Sequence, residues 1–141
     1  SIDSVIIPDS IHLRLNNKVT DPLANLDYDQ MTQVFTNLLK NAVDAMPEKG
    51  EIVFDLTDSS DQITMSISDN GTGIQPENMD KLFTPFFTTK EIGKGTGLGL
   101  PIIYGIVKMH KGDVTVKSNV DPASGPTGTT FTITIPRKRL V

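Results

Sequence analysis

The sequence predicts an α+β two-layer sandwich, one mixed sheet covered on one face by about three helices. Short runs of alternating apolar and polar residues recur between turn-forming clusters, as in strands with one buried face. Two longer stretches carry apolar residues at helical spacing instead. The chain has 141 residues and no cysteine, a length that suits one domain with one core.

Ile11, Leu13 and Leu15 alternate with His12 and Arg14, the pattern of a half-buried strand. Residues 16–28 read as a loop, with Asn16-Asn17 and Pro22. Asp27 begins a helix with Gln30 three residues on, a capping-box spacing. Met31, Val34, Phe35, Leu38, Leu39, Ala42, Ala45 and Met46 form its apolar stripe, and Pro47 and Gly50 stop it. Ile52, Phe54 and Leu56 alternate in a second strand; Ile63, Met65 and Ile67 alternate in a third. The turn Asp58-Ser59-Ser60-Asp61 lies between them. Pro76 opens a short helix carrying Met79, Leu82 and Phe83. Residues 84–97 lack periodicity and are expected to form a lid-like loop. A helix from about Leu98 to His110 ends at Gly112. Val114 and Val116 mark a fourth strand. After a Pro/Gly-rich turn over 121–128, Phe131, Ile133 and Ile135 share one face of the last.

Composition is ordinary for a globular protein, and the net charge is −4 without a basic stripe, which argues against a nucleic-acid surface. Without cysteine there is no disulfide or zinc–thiolate chemistry. No apolar stretch approaches the ~18 residues that span a bilayer, and no signal peptide is visible. A cytoplasmic domain without membrane contact is expected.

Glycine falls at every second position from Gly93 to Gly99, and an apolar run follows at once. A glycine-rich loop entering a helix N-terminus offers bare N–H groups and a favourable dipole to phosphate. Neither a P-loop G-x-x-x-x-G-K-[ST] nor a dinucleotide G-x-G-x-x-G after a strand is present. H-R-D and D-F-G are absent too.

Other polar residues gather around this loop. Asn37 and Asn41 are four apart on the first long helix and share a face, with Asp44 one turn on. One reading is a solvated polar flank; the sharper alternative is a magnesium site, since Mg²⁺ takes few protein oxygens plus substrate phosphates. Asp69 continues the inward parity of Ile63, Met65 and Ile67. Asp69-Asn70-Gly71 is strong turn chemistry, but an inward carboxylate also needs a donor, which a purine amino group would supply. Thr129 continues the parity of Phe131, Ile133 and Ile135, either bonded to backbone or sharing a polar floor with Asp69. Lys90 could reach a terminal phosphate.

These residues bring a family into view. Asn37-Leu38-Leu39-Lys40-Asn41-Ala42-Val43-Asp44-Ala45 resembles the N box of sensor histidine kinases. Asp69-Asn70-Gly71-Thr72-Gly73-Ile74 resembles their G1 box. Leu82 to Lys90 resembles the F box, and Gly95-Thr96-Gly97-Leu98-Gly99-Leu100 the G2 box. Order and spacing match over roughly residues 11–136. The resemblance implies the ATP-binding sandwich shared with DNA gyrase, the large heat-shock chaperones and mismatch-repair ATPases, with ATP and Mg²⁺ as ligands. It implies that Asn41 ligands the metal with Asn37 nearby, and that Asn37, Asn41 and Lys90 act in transfer. Asp69 would hold the adenine amino group, helped through water by Thr129. Gly71 and Gly73 would admit the base. Asp44, Ile74, Lys90 and Gly95, Thr96, Gly97, Leu98, Gly99 and Leu100 complete the implied nucleotide-binding set.

Two departures refine the expectation. The ATPase branches carry a water-activating glutamate where this chain has Asn37, and an amide cannot accept a proton. Transfer to a supplied nucleophile is expected rather than fast hydrolysis. Neither His12 nor His110 stands in the context of a phosphorylated histidine. The chain therefore resembles a single catalytic and ATP-binding domain, residues 1–141, without the dimerising hairpin and monomeric by itself. Its implied partners are the histidine-containing dimerisation domain of a parent chain, whether or not that parent is membrane-anchored, and, indirectly, a response regulator. An anti-sigma-factor-type serine kinase and a non-enzymatic nucleotide switch are the alternatives.

Overall fold

The computed structural model describes residues 10–18, 28–46, 49–84 and 99–136. In chain order the elements are β1 (Ile11–Asn17), α1 (Tyr28–Asp44), β2 (Gly50–Asp58), β3 (Gln62–Asp69), a 3-10 helix (Pro76–Lys81), α2 (Gly99–Met109), β4 (Asp113–Asn119) and β5 (Gly128–Pro136). The strands form one five-stranded sheet in the order β1-β2-β3-β5-β4. β1 runs parallel to β2, and the other pairings are antiparallel. This is the mixed α+β sandwich the alternation predicts.

The core follows from the two periodicities. α1 stops at Asp44, short of the Met46 expected from its stripe. Val34, Leu38, Leu39 and Ala42 on α1, Met46 just beyond its end, and Ile103, Ile106 and Val107 on α2 are buried. They meet Ile52, Phe54, Met65, Ile67, Phe131, Ile133 and Ile135 from the inward face of the sheet. Each such aliphatic or aromatic side chain contributes roughly 1.5–3 kcal/mol on burial. Phe35 stacks on Phe54 with ring centroids 4.1 Å apart, tying α1 to β2.

Several local expectations are corrected. The first strand does not stop before Asn16; it continues through Asn17. Asn16 Nδ2 donates to Asp55 Oδ1 across the parallel pair (2.8 Å), and Lys18 N–H still reaches the Leu56 carbonyl. Leu15 is 58% exposed rather than half-buried, although it pairs with buried Phe54, because β1 is the sheet edge. The helical turn after Pro76 is 3-10 and ends at Lys81; buried Leu82 follows it.

At the end of α2 the left-handed residue is Lys111 (φ 61°), not Gly112. Lys111 N–H donates to the Lys108 carbonyl and Gly112 N–H to the Val107 carbonyl, which is a Schellman cap with Lys111 in the position that favours glycine. Gly112 is needed for a different reason: a Cβ there would collide with the Thr134 carbonyl of β5. His110 accompanies this cap, its Nδ1–H donating to the Ile106 carbonyl at 2.9 Å.

The expected capping box depends on Asp27, which lies outside the described residues, as does Pro47. The same holds for all of the expected lid except Thr84, and for Phe86 and Phe87. Among the described residues no helix is long and apolar enough to cross a membrane.

Candidate functional site

Four elements converge at one end of the sandwich. β3 and β5 pair so that Asp69 lies opposite Thr129, and β4 pairs with β5 so that Ser118 also lies opposite Thr129. The loop after β3 returns under the C-terminal end of α1. A Cβ on Gly71 would come within 2.5 Å of the Ala45 carbonyl oxygen. Ala45 N–H in turn donates to the Asn41 carbonyl (3.1 Å), so Asn41 stands one turn from this contact.

Parity places Asp69 and Thr129 as expected. Ile63, Met65 and Ile67 are buried on the same face as Asp69, and Thr129 is 4% exposed beneath Phe131 and Ile133. Asp69 Oδ1 accepts the Gly71 N–H at 2.9 Å. Burial pushes the Asp69 carboxyl above the ordinary aspartate value, while backbone N–H bonds from Gly71 and Thr129 pull the other way. Two N–H donors do not complete the capacity of a carboxylate, which has about four lone-pair sites. The group is held in place, and these two bonds from the described residues leave it room for a further donor.

The loop from Asn70 to Ile74 is clamped from several sides. Asn70 Oδ1 accepts the Glu51 N–H (2.8 Å), and Thr127 Oγ1–H donates to the Gly71 carbonyl (2.8 Å). Gly73 has φ +84°, and a Cβ there would collide with the Asn119 carbonyl. Within the protein itself, then, Gly71 and Gly73 are required by backbone packing. Ile74 N–H donates to Ser118 Oγ at 2.7 Å. Ile74 and Leu100, the second residue of α2, both pack against the core from its margin.

Asn37 and Asn41 are half-buried on α1, whereas Asp44 is exposed at its last turn. The Asn41 Nδ2 is buried and has no hydrogen-bond partner among the described residues. An amide group with a buried free end suits a ligand that brings its own polar atoms: its N–H₂ can serve a phosphate oxygen, and its oxygen can serve a cation. Magnesium at Asn41 therefore fits the donor set. Lys90, Gly95, Thr96, Gly97 and Leu98 lie outside the described residues; Gly99 opens α2.

Sequence reasoning missed Ser118. The parity of Val114 and Val116 extends to it directly, and its hydroxyl bonds Thr129 Oγ1 at 2.8 Å. An open groove of about 390 Å³ lies at the ends of β3, β4 and β5. Its lining includes Lys117 and Thr130, whose parity is opposite to Ser118 and Thr129, so it wraps onto the outer face of the sheet.

Comparison with known proteins agrees with this fold. The family model described as histidine kinase-, DNA gyrase B- and HSP90-like ATPase matches residues 26–139. Sensor kinase CckA of Brucella abortus is 42% identical over 79% of this chain and 13% of its own length. Sensor histidine kinase ZraS of Escherichia coli K12 is 38% identical over 89% of this chain and 26% of its own length. The solved catalytic domain of histidine kinase ThkA superposes with a TM-score of 0.78 at 30% identity, covering 92% of this chain and 82% of that one. The chain thus spans under a third of the length of these curated relatives.

Proposed function

From its membership of the histidine kinase-, DNA gyrase B- and HSP90-like ATPase family, we propose that this chain binds Mg·ATP and transfers the γ-phosphate to a histidine on a separate dimerisation domain, in two-component signalling. The observation that carries the reading is the inward Asp69 carboxylate, half-buried opposite Thr129 and with room for a further donor. An exocyclic purine amino group supplies such a donor.

The residues divide the task. Asp69 accepts from the base, and Thr129 lies beside it. The Asn41 amide, its buried nitrogen unpartnered among the described residues, faces the phosphates and would hold the metal; Asn37, one turn away, would support it. Mg²⁺, when bound, neutralises phosphate charge as the bridging bond breaks. The loop from Gly95 to Leu100 and Lys90 would hold the β- and γ-phosphates by N–H groups and charge. A neutral histidine nitrogen attacks the γ-phosphorus, its bond to the β-phosphate oxygen breaks, and ADP leaves. Asn37 cannot take a proton from water, so hydrolysis is slow and the phosphoryl group waits for the supplied nucleophile.

The binding half is tested by calorimetric titration with ATP and GTP. Guanine places a carbonyl where Asp69 needs a donor, and a hydrogen bond to a charged group contributes roughly 1.5–3 kcal/mol, so more than about tenfold discrimination is expected. Equal affinities would remove Asp69 from the base site. The transfer half is tested by adding a separate acceptor hairpin and following label from ATP to histidine.

A further inference from the structure

Resting on that reading of the base site, we propose that Ser118 is a positioning residue: it fixes the direction of the Thr129 hydroxyl, so that Thr129 faces the nucleotide base only as a hydrogen-bond acceptor. The inference comes from counting protons. A serine hydroxyl has one proton to donate and two lone pairs to accept with. Ser118 Oγ lies 2.7 Å from the Ile74 nitrogen, 3.0 Å from the Gly128 carbonyl oxygen and 2.8 Å from Thr129 Oγ1.

The first neighbour can only donate and the second can only accept. Ser118 therefore gives its proton to Gly128 and takes the Ile74 N–H on one lone pair. Only the second lone pair is left for Thr129, and it must receive the Thr129 proton. All three capacities of Ser118 are then used. Thr129 is buried, so its hydroxyl has no bulk water to exchange partners with. Its two lone pairs are all it can offer inward.

The result is a pair of acceptors on adjacent strands, the Asp69 carboxylate and the Thr129 oxygen, opposite one another in register. Such a pair favours a base edge, or a water on it, that brings N–H or O–H protons. It disfavours a carbonyl edge, which meets two acceptors and no donor. Ser118 thereby contributes to discrimination between 6-amino and 6-oxo purines without touching the base. Through the Ile74 N–H it also anchors the loop that carries Gly71 and Gly73.

The test compares ATP with inosine triphosphate, in which a carbonyl replaces the amino group and the adjacent ring nitrogen carries a proton. Affinities are measured by calorimetry for the wild-type chain, Ser118→Ala, Ser118→Thr and Thr129→Val. In Ser118→Ala the Thr129 proton is released to turn inward and serve a carbonyl. The ATP-to-inosine-triphosphate affinity ratio should then fall about tenfold, the weight of one hydrogen bond reversed. Ser118→Thr, which restores the hydroxyl, should keep the wild-type ratio. Thr129→Val leaves the Ser118 bonds to Ile74 and Gly128 in place and should lower the ratio too, which carries the test if Ser118→Ala does not fold. Equal weakening of both nucleotides in Ser118→Ala would show a loop anchor only and overturn the proposal, as would an unchanged ratio in Thr129→Val. A wild-type chain that binds neither nucleotide would instead overturn the base-site reading itself.

Discussion

Replacing Asp69 by asparagine separates what the carboxylate does for binding from what it costs the fold. The amide oxygen can still accept the Gly71 N–H that now reaches Oδ1 at 2.9 Å, so the loop geometry is expected to survive. What is lost is the charge. A hydrogen bond from the base amino group to a carboxylate is worth roughly 1.5–3 kcal/mol, so ATP affinity should fall about 10- to 150-fold. Stability should move the other way. Burial raises the Asp69 carboxyl above its ordinary 3.8, so the folded chain holds this proton more tightly than the unfolded chain. Stability from this group is fully present below the unfolded value and declines as pH rises through the folded one. At pH 7 the wild-type apo chain bears that cost and Asp69→Asn does not. The variant should melt at the same temperature as wild type or higher at pH 7, and its advantage should shrink on acidification toward 3.8. ATP affinity of the wild type should also weaken as pH falls through the raised value, because the base needs the ionised carboxylate. Calorimetry with ATP and thermal melts at several pH values check both directions. An Asp69→Asn chain that binds ATP within about threefold of wild type would refute the reasoning.

Three further outcomes are expected. Asn41→Asp should lower phosphoryl transfer about 100-fold through a misplaced γ-phosphate while ATP affinity changes much less; wild-type transfer rates would remove Asn41 from the site. Leu39→Ala empties a fully buried position on α1 and should cost about 2–5 kcal/mol in denaturant unfolding; a loss below ~1 kcal/mol would contradict the packing. Lys111→Gly relieves a left-handed residue at φ 61° and should raise stability by about 0.5–1 kcal/mol, so a lower melting temperature would argue against the Schellman cap.

The fold was legible because two periodicities coexist in one chain. Ile52 and Phe54, Ile63 to Ile67, and Phe131 to Ile135 alternate strictly, and all turn inward as the pleat requires. The same parity carried Asp69 and Thr129 to opposite positions on neighbouring strands. Applied one step further along β4 it reaches Ser118, which went unread because a lone serine at a strand end has no chemical signature; its role appears only when three neighbours converge on one hydroxyl. Pairing partners were not legible either. Asn16 looks like a loop residue until Asp55 lies across from it, and Leu15 looks half-buried until β1 proves to be the sheet edge. Gly112 marks the helix end by residue type, yet close approach to Thr134 decides its identity and Lys111 takes the left-handed angle. The glycine pattern from Gly93 to Gly99 and Lys90 speaks from the sequence alone.

The central claim is transfer of phosphate from ATP to a histidine elsewhere, and label from γ-phosphate-labelled ATP tests it most directly. The chain is incubated with Mg·ATP, alone and with a separate domain carrying an acceptor hairpin, and the products are split between acid and neutral treatment. The account predicts no label on the chain itself, since neither His12 nor His110 is placed to accept it. It predicts slow labelling of the added domain, because a bimolecular encounter replaces a tethered one, with the label lost in acid as a phosphorus–nitrogen bond requires. Acid-stable label on a partner serine, or stable label on the isolated chain, would contradict it.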